Sequence, residues 1–337
     1  MVRRSWILIL AACVCGLPLI LAADKPASQS AADLATGTEA PPAGYRSMTA
    51  IKFAILTGQL KLVDRNIVVP ETISVRRGIT YGTGGDQPLK LDLYSPKQLA
   101  GPVPALIFIH GGAWKKGKRS DYHYYCVKFA ERGYVVATIT YRLLPKHAFP
   151  AAVEDAKCAV RWMRANAGKL HVNPNLIGAI GGSAGGHLAM MVGYSSDVPE
   201  LEGHGGHPGV SSRVQAVVDL YGPTDLTTPF AVNNPTAINF LGGRKIGEAR
   251  KQYELASPIT HVTKDDPPTL IFHGSIDETV PVAQSDMLTK KLKAVGVPVT
   301  YDRLTGWPHT MDAAAVVNRR CRRLMNRFFD KYLPLPK

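Results

Sequence analysis

Short apolar segments, each bounded by glycine, proline or polar residues, alternate along the chain with longer segments that have helical periodicity. Such short segments are typical of strands that are buried on both faces of a parallel sheet. They lie at 105–109, 134–141, 175–180, 214–220, 269–274 and 299–304. Predicted helices lie at 121–132, from 150 onwards, from 187 onwards, at 284–295 and at the basic C-terminus. The alternation of the two patterns indicates an α/β fold.

Two further regions differ from this alternation. Residues 75–81 and 89–94 predict a hairpin around a glycine-rich turn at 82–86. Leucines at every second position of the second strand alternate with Lys90, Asp92 and Tyr94, so one face of the hairpin should be wetter than the other. Residues 224–257 have a mixed pattern, and we expect them to form a small cap insertion over a pocket.

The N-terminal residues have the pattern of an export signal. Two arginines precede an apolar stretch at 7–21, which is followed by a small-residue cleavage site. We predict a signal peptide at 1–23 and an exported protein, periplasmic or extracellular; the alternatives are a membrane anchor and a lipoprotein modified at Cys13. Residues 24–45 are rich in alanine, serine, threonine and proline and predict a flexible linker, and 46–337 form one domain.

The chain is strongly basic, with a formal net charge of +14. Basic clusters lie at 115–119 and 319–323, but no aromatic interleaving and no nucleic-acid-binding motif accompanies them. We therefore predict a solvated basic surface and no nucleic-acid partner. Contact with a membrane is expected only through an uncleaved or lipidated N-terminus, and the sequence does not indicate an oligomeric state.

Neither the cysteines nor the paired histidines have a metal-binding pattern. Cys126, Cys158 and Cys321 are far apart in the sequence and are predicted to be buried thiols, although one disulfide bond stays open as an alternative. His204 and His207 lie close together in a glycine-rich segment, but no third ligand is near them. We predict a loop there rather than a metal site.

A G-x-S-x-G motif lies between an apolar strand and a predicted helix, in Ile180-Gly-Gly-Ser-Ala-Gly-Gly186. A serine at such a turn projects above the sheet at the positive end of the helix, where a developing negative charge is stabilised. The glycines leave room for a close approach of strand and helix. The motif alone is also compatible with an ordinary tight connection between a strand and a helix, so the rest of the sequence decides whether the serine is catalytic.

Four segments together resemble the α/β-hydrolase superfamily, in its hormone-sensitive-lipase-like and bacterial feruloyl/acetyl-esterase-like branch. They are His110-Gly-Gly-Ala-Trp114, Tyr141-Arg-Leu-Leu-Pro145, Phe149-Pro-Ala-Ala-Val-Glu-Asp155 and Gly181-Gly-Ser-Ala-Gly-Gly186, and the resemblance extends from about Val75 to the C-terminus. It implies a mostly parallel twisted sheet of about eight strands, helices on both faces and a small cap. Gly182 departs from the lipase-like branch, which usually has an acidic residue there, and is closer to secreted esterases of acylated sugars and plant-wall esters.

The resemblance also implies the composition of the site. Ser183 is the expected nucleophile, Asp277 in a D-x-x-V-P segment the expected acid and His309 the expected base, in the chain order of these hydrolases. The expected oxyanion hole consists of the N–H groups of three residues, Gly111, Gly112 and Ala184. The expected substrate pocket includes Trp114, for which ordinary packing is the alternative, and Tyr221. No metal or organic cofactor is expected.

Three of these roles have other candidates in the sequence. Asp219 and Asp225 are alternatives to the acid, because both are close to the end of the preceding strand. His273 is an alternative to the base, but it lies at a strand end and is expected only to pack. His110 is expected to hold its loop rather than to act as a base.

The function expected from these residues is that of a secreted serine carboxylic-ester hydrolase for short acyl groups. By analogy, its substrates are small-molecule or glycan esters, such as acetyl or feruloyl esters of carbohydrates. An arylformamidase-type amide hydrolase is the enzymatic alternative. A non-catalytic binding protein with this fold is the alternative from another class, although such proteins usually lose a triad residue. The natural substrate and the acyl-length limit stay open.

Overall fold

A computed structural model describes residues 40–336, which form an eight-stranded sheet flanked by helices. The strands are β1 (Ile73–Gly84), β2 (Gln87–Pro96), β3 (Val103–Ile109), β4 (Val135–Ile139), β5 (Val172–Gly182), β6 (Ala216–Leu220), β7 (Thr269–Gly274) and β8 (Val299–Leu304). Their order in the sheet is β1-β2-β4-β3-β5-β6-β7-β8. Strand β2 is antiparallel to β1 and β4, and the other neighbours pair in parallel. The predicted α/β class and mostly parallel sheet are confirmed.

The helices follow the strands as the periodicity predicts. They are α1 (Met48–Leu56), α2 (His123–Glu131), α3 (Ala151–Ala165), α4 (Ala167–Leu170), α5 (Ala184–Tyr194), α6 (Pro229–Val232), α7 (Pro235–Phe240), α8 (Ile246–Leu255), α9 (Pro258–His261), α10 (Ala283–Ala294) and α11 (Ala315–Tyr332). Helices α6, α7 and α8 lie within the predicted cap insertion. Short 3₁₀ turns at Arg119–Tyr122, Pro199–Leu201 and Met311–Ala313 complete the described elements.

The sheet separates two apolar cores, as β3 shows. Ala105, Ile107 and Ile109 pack into the core that contains α3, α5, α10 and the cap, whereas Leu106 and Phe108 pack into the core that contains α1, α2 and α11. All five side chains are fully buried. A strand with both faces covered needs apolar residues at every position, which explains its continuous apolar sequence.

The predicted wetter face of the β1–β2 hairpin is confined to its turn end, where Lys90 pairs with the exposed Thr80, and the prediction is wrong at Asp92 and Tyr94. Asp92 is 6% exposed and Tyr94 is 1% exposed, because the 3₁₀ turn before α2 and α2 itself cover this side of β2. Asp92 accepts a hydrogen bond from Arg119 at 2.9 Å, and the Tyr94 hydroxyl contacts the His123 ring nitrogen at 2.9 Å. At these two positions the polar groups therefore make buried contacts rather than face solvent.

The predicted export signal and most of the predicted linker lie outside the described residues. The last linker residues contact the folded domain: the Pro42 carbonyl accepts a hydrogen bond from the Trp307 indole at 3.0 Å, and the Tyr45 ring packs edge-on against the same indole. Among residues 40–336, no helix combines the length and the apolarity that crossing a bilayer would require.

Glycines at the start of α5 bring this helix very close to the sheet. A Cβ atom on Gly185 would lie 2.0 Å from the carbonyl oxygen of Ile109 in β3. A Cβ atom on Gly181 would lie 2.1 Å from the carbonyl oxygen of Gly185. Because the obstructing atoms belong to the backbone, no side-chain rotation would relieve either contact.

Gly185→Ala is expected to destabilise the fold by about 1–3 kcal/mol, because the added methyl group overpacks the contact between α5 and β3. Urea unfolding followed by circular dichroism measures this change. Gly168→Ala in α4 is the matched control, since a Cβ atom there has no neighbour within 4 Å. Equal stability losses in the two variants would contradict the close contact.

Candidate active site

Ser183 occupies the turn between β5 and α5. Its backbone has φ +56° and ψ −124°, a conformation that side-chain-bearing residues rarely adopt. Its N–H group donates a hydrogen bond to the Leu220 carbonyl at 2.8 Å, which ties the turn to the end of β6. The strand, turn and helix around the serine are therefore those that the motif predicts.

A continuous chain of hydrogen bonds joins the three side chains predicted to act together. His309, in the loop after β8, accepts a hydrogen bond through Nε2 from Ser183 Oγ at 3.0 Å. Its Nδ1–H group donates to Asp277 Oδ2 at 2.6 Å. Asp277 follows β7, and its side chain is fully buried, whereas that of His309 is 16% exposed. The structure thus brings Ser183, Asp277 and His309 together.

Asp277 has a second histidine partner, which corrects the expectation that His273 only packs. His273 Nε2–H lies 3.1 Å from Asp277 Oδ2 and 2.9 Å from the Val280 carbonyl, and the Ser285 hydroxyl donates to its Nδ1 at 2.7 Å. Burial by itself would raise the pKa of Asp277. The hydrogen bonds from His273 and His309 outweigh burial and lower the pKa of this carboxyl to about 2.

The alternative acids have local roles elsewhere. Asp225 accepts hydrogen bonds from the N–H and hydroxyl groups of Thr227 in the turn after β6. Asp219 accepts one from the Gly222 N–H at 2.9 Å, and burial raises the pKa of this carboxyl to about 7. His110 stacks on the Tyr141 ring, with 4.4 Å between centroids, and contacts its own loop as predicted.

Tyr221 was predicted to line the substrate pocket. The structure places it against His309, the proposed base, and not among the residues that line the cavity beside Ser183. It has a positive φ of 49°, its ring packs edge-on against His309 at 4.7 Å, and its hydroxyl donates to Asp312 Oδ1 at 2.6 Å. Tyr125 donates to the other oxygen of Asp312 at 3.2 Å. Burial, and then the charge of Asp312, raise the pKa of Tyr221 well above its usual value, so Tyr221 remains a donor.

Two tyrosine hydroxyl groups explain why position 182 is a glycine rather than the acidic residue that is usual in the lipase-like branch. A Cβ atom on Gly182 would lie 2.7 Å from the Tyr122 hydroxyl and 3.0 Å from the Tyr221 hydroxyl. The space beside the nucleophile that an acidic side chain would need is therefore filled by phenol groups. The nearby carboxylate, Asp312, comes instead from the 3₁₀ turn after His309.

The loop after β3 turns its backbone beside Ser183. Gly112, Ala113 and Trp114 have consecutive positive φ values of 113°, 57° and 55°. Among the loop and turn residues within 40–336, no hydrogen bond to a backbone carbonyl engages the N–H group of Gly111, Gly112 or Ala113. Ala113 and Ala184 line a cavity together with Ser183. The sequence analysis missed Ala113, although its place directly after two glycines was a usable signal.

Gly111, the other predicted oxyanion donor, has a packing role. A Cβ atom on it would lie 2.6 Å from the Gly182 carbonyl oxygen and 3.3 Å from the Ser183 Cβ atom. It is not among the residues that line the cavity. Gly112 is also absent from that lining, so Gly111 and Gly112 both stay predicted donors, and Ala113 joins Ala184 as a donor candidate that lines the cavity.

A small cavity of about 90 Å³ opens beside Ser183. Its walls come from the loops after β3, β5, β6 and β7 and from the cap. The lining residues are Ala113, Trp114, Ser183, Ala184, Pro223, Leu226, Phe230, Asn234, Thr236, Ala237, Thr279 and Val280. Trp114 thus lines the cavity as predicted, and residues 229–240 form its cap side.

A buried histidine holds the Trp114 wall in place. The Trp114 indole stacks on Phe240 of α7 at 4.2 Å and donates a hydrogen bond to His187 Nδ1 at 3.3 Å. His187 Nε2–H donates in turn to the Ala256 carbonyl at 2.8 Å. Burial lowers the pKa of His187 to about 4, so the ring is neutral at neutral pH and can accept from the indole. No pattern in the sequence indicated this role for His187.

Metal-ligating groups do not cluster in the part of the chain that the structure describes: no set of three or more histidine, cysteine or acidic side chains is suitably placed. Cys126, Cys158 and Cys321 are buried free thiols. His204 and Gly203 line a separate open groove with Arg161 of α3.

The sheet is mostly parallel, and its strand–turn–helix connection presents a serine to a histidine and a buried aspartate. These features define an α/β-hydrolase. Solved structures of esterases share this fold. The BD-FAE family model matches residues 91–292, which is more than half of the chain. The chain belongs to the BD-FAE family.

Named relatives and solved structures agree with this assignment. Esterase LipC of Mycobacterium tuberculosis (strain ATCC 25618 / H37Rv) is 35% identical over 70% of this chain and 60% of LipC. A truncated form of a carbohydrate esterase from gut microbiota has a TM-score of 0.67 and 28% identity, covering 78% of this chain and 97% of that one. The apo form of Thermogutta terrifontis esterase 2 has a TM-score of 0.68 and 27% identity, covering 82% and 100%. The chain spans 56–60% of the length of LipC and the two next relatives.

Tyr221→Phe is expected to lower the free energy of unfolding by about 1–3 kcal/mol, because the buried Asp312 carboxylate loses its shorter hydrogen bond while the ring is retained. Urea unfolding of the purified protein measures the loss. Tyr134→Phe, which removes a 3.2 Å hydrogen bond from a buried tyrosine to the uncharged Leu333 carbonyl, is the matched control and should cost less. A Tyr221→Phe variant as stable as the wild type would show that this hydrogen bond contributes little.

Proposed function

We propose that the protein is a serine carboxylic-ester hydrolase that acts on short-chain acyl esters. The observation that carries the proposal is the unbroken hydrogen-bond chain from Ser183 Oγ through His309 to Asp277. A serine hydroxyl is a poor nucleophile at neutral pH and needs an adjacent base, which His309 supplies. The esterases among the relatives and structural neighbours support the same reaction class.

In the first half of the proposed reaction, His309 Nε2 takes the Ser183 hydroxyl proton while Oγ attacks the ester carbonyl carbon. The resulting oxyanion accepts hydrogen bonds from the N–H groups of the loop after β3 and of Ala184. His309 then gives its proton to the leaving alcohol oxygen as the carbon–oxygen bond breaks. An acyl group remains on Ser183.

In the second half, His309 takes a proton from water, and the oxygen attacks the acyl carbon. The same donors hold the second oxyanion, and His309 returns the proton to Ser183 Oγ as the carboxylic acid leaves. Asp277 fixes the imidazole tautomer with Nδ1 protonated and stabilises the imidazolium that forms. Its lowered pKa keeps this carboxyl ionised throughout the neutral range.

The cavity supports a short acyl group. Its volume of about 90 Å³ is well below the roughly 300–1,000 Å³ of pockets that enclose drug-sized ligands. Trp114, Leu226 and Phe230 give it apolar walls that suit a methyl or short alkyl group. We therefore favour acetyl over feruloyl esters. A carbohydrate esterase among the structural neighbours and the export pattern of the N-terminus support acetylated glycans as substrates.

The purified protein is expected to hydrolyse p-nitrophenyl acetate faster than the butyrate, and the octanoate slowest, in steady-state assays of kcat/KM. Ser183→Ala and Asp277→Asn should each lower kcat by about 10⁴-fold or more. Asp225→Asn is the matched control and should stay within about twofold of the wild type, since surface turns tolerate such changes.

Turnover that is unchanged in Ser183→Ala would refute the proposed nucleophile. Turnover of an N-formyl arylamine but of none of the esters would replace the ester hydrolase by an amide hydrolase that uses the same three residues. Absence of turnover on both substrate classes would favour a binding protein.

Phe230→Ala in α6 is expected to relax the acyl-length limit, because the cavity loses one apolar wall on its cap side. The ratio of kcat/KM for octanoate to that for acetate should rise by about tenfold, within the usual range for changes of a few methylene groups. Asn233→Ala, at the end of the same helix and outside the cavity lining, is the control and should leave the ratio unchanged. An unaltered ratio in Phe230→Ala would place the acyl group elsewhere.

A further inference from the structure

The exposed large apolar side chains of residues 40–336 are confined to one short segment. Phe53 is 61% exposed, Ile55 38%, Leu56 85%, Leu62 52% and Val68 87%. We call these five side chains the apolar patch. Single exposed hydrophobic residues are common on protein surfaces, but here five of them fall within residues 53–68, a density that is typical of interaction sites.

Helix α1 shows that the patch faces outwards. The helix buries Ile51 and Ala54 against the core that contains α2 and α11. Phe53 and Leu56 project from the opposite side, because successive residues rotate by about 100° around a helix axis. Three of the exposed apolar side chains, Phe53, Ile55 and Leu56, thus belong to the part of α1 that the core does not cover.

The segment after α1 is attached to the region that carries the proposed base. The Val63 N–H group donates to the Ala313 carbonyl at 2.9 Å, and the Ala315 N–H group donates to the Lys61 carbonyl at 2.8 Å. Leu62 pairs with Ala314 in an isolated β-bridge between these two contacts. The patch therefore lies next to the residues that directly follow His309.

Basic side chains accompany the patch. Lys52, Lys61 and Arg65 are exposed within the same segment, against the single acidic side chain Asp64, which accepts a hydrogen bond from the Asn66 N–H. Exposed lysines also follow the donor loop at 115–118. Apolar side chains that alternate with cations are typical of surfaces that lie in the interface of an anionic bilayer, where apolar burial and attraction to the headgroups add.

We propose that the apolar patch and its basic neighbours bind the surface of an anionic lipid bilayer. Two other occupants agree less well with the charges and the sequence. A second copy of the chain would bring Lys52, Lys61 and Arg65 against their own equivalents. Of residues 1–39, which precede the described part of the chain, the apolar stretch at 7–21 belongs to the predicted export signal, and 24–39 contain only one large apolar residue, Leu34. The bilayer matches both the apolar and the basic character of the surface.

Tryptophan quenching tests the contact at one defined position in the full-length chain. Leu56→Trp is mixed with vesicles of equal parts phosphatidylcholine and phosphatidylglycerol whose acyl chains are brominated, because bromine quenches an indole that it touches. Lys290→Trp is the matched control, since Lys290 is exposed on α10, whose core lies on the opposite face of the sheet from α1. Wild-type fluorescence is subtracted from both.

The proposal predicts that the indole at position 56 is quenched and blue-shifted and that the indole at position 290 is not. Vesicles of phosphatidylcholine alone should bind about tenfold more weakly, and Lys52→Glu combined with Lys61→Glu should weaken binding to the anionic vesicles by a similar factor. These readouts report on the patch even if residues 7–21 also insert into the vesicles.

Three results would overturn the proposal. The first is absence of quenching at position 56, even where the protein sediments with the vesicles. The second is equal quenching at both positions or with both lipid compositions. The third is an indole at position 56 that is already blue-shifted before vesicles are added. In that case a doubled molar mass would assign the patch to a second copy of the chain. An unchanged molar mass would assign it to residues 1–39.

Discussion

The close approach of α5 to the ends of β3 and β5 is the constraint on which the rest of the site depends. Gly185 lies against the Ile109 carbonyl, where a Cβ atom would come within 2.0 Å, and Gly186 lies against Asp219 in the same way at 2.2 Å. This proximity forces Ser183 into its positive φ and places its hydroxyl above the edge of the sheet. It also sets the loop after β3 beside the serine, so that Ala113 of that loop and Ala184 at the start of α5 line the same cavity.

The sequence was sufficient to predict this part of the molecule because each feature has a local cause. Apolar segments without polar interruptions mark strands that are covered on both faces, and glycines mark the contacts that exclude a Cβ atom. In a parallel sheet the loops after successive strands meet at one edge, so that Ser183, Asp277 and His309 could be expected to assemble although 126 residues separate the first from the last. The resemblance to α/β-hydrolases selected Asp277 and His309 from the alternatives Asp219, Asp225 and His273, and the sheet geometry explains why the selected residues meet.

The contacts that support the site could not be predicted in the same way. The Tyr221–Asp312 hydrogen bond joins residues 91 positions apart, and the Trp114–His187 hydrogen bond joins residues 73 apart. None of these four side chains forms a local pattern that distinguishes a buried hydrogen bond from ordinary packing. Asp92 is a further example. Its charge and its alternating position in the strand predicted exposure to solvent, and only the structure shows the 3₁₀ turn that covers it. Ala113 differs from these cases, since its position in the donor loop, directly after the two glycines predicted as donors, was visible in the sequence.

A hydrogen-bond network supports one side of Ser183, and apolar packing forms the other. The two sides therefore have different roles. On the side of the base, His309 lies between Asp277, which it contacts directly, and Tyr221, which is itself fixed by the buried Asp312. Leaving any of these buried polar groups without a partner costs free energy, so the network holds a single arrangement. On the acyl side, short helices of the cap meet Trp114 through ring stacking and apolar contacts. Apolar packing tolerates changes of size that a hydrogen-bond network does not. Changes on the acyl side therefore alter which ester fits, whereas changes on the side of the base alter whether Ser183 reacts.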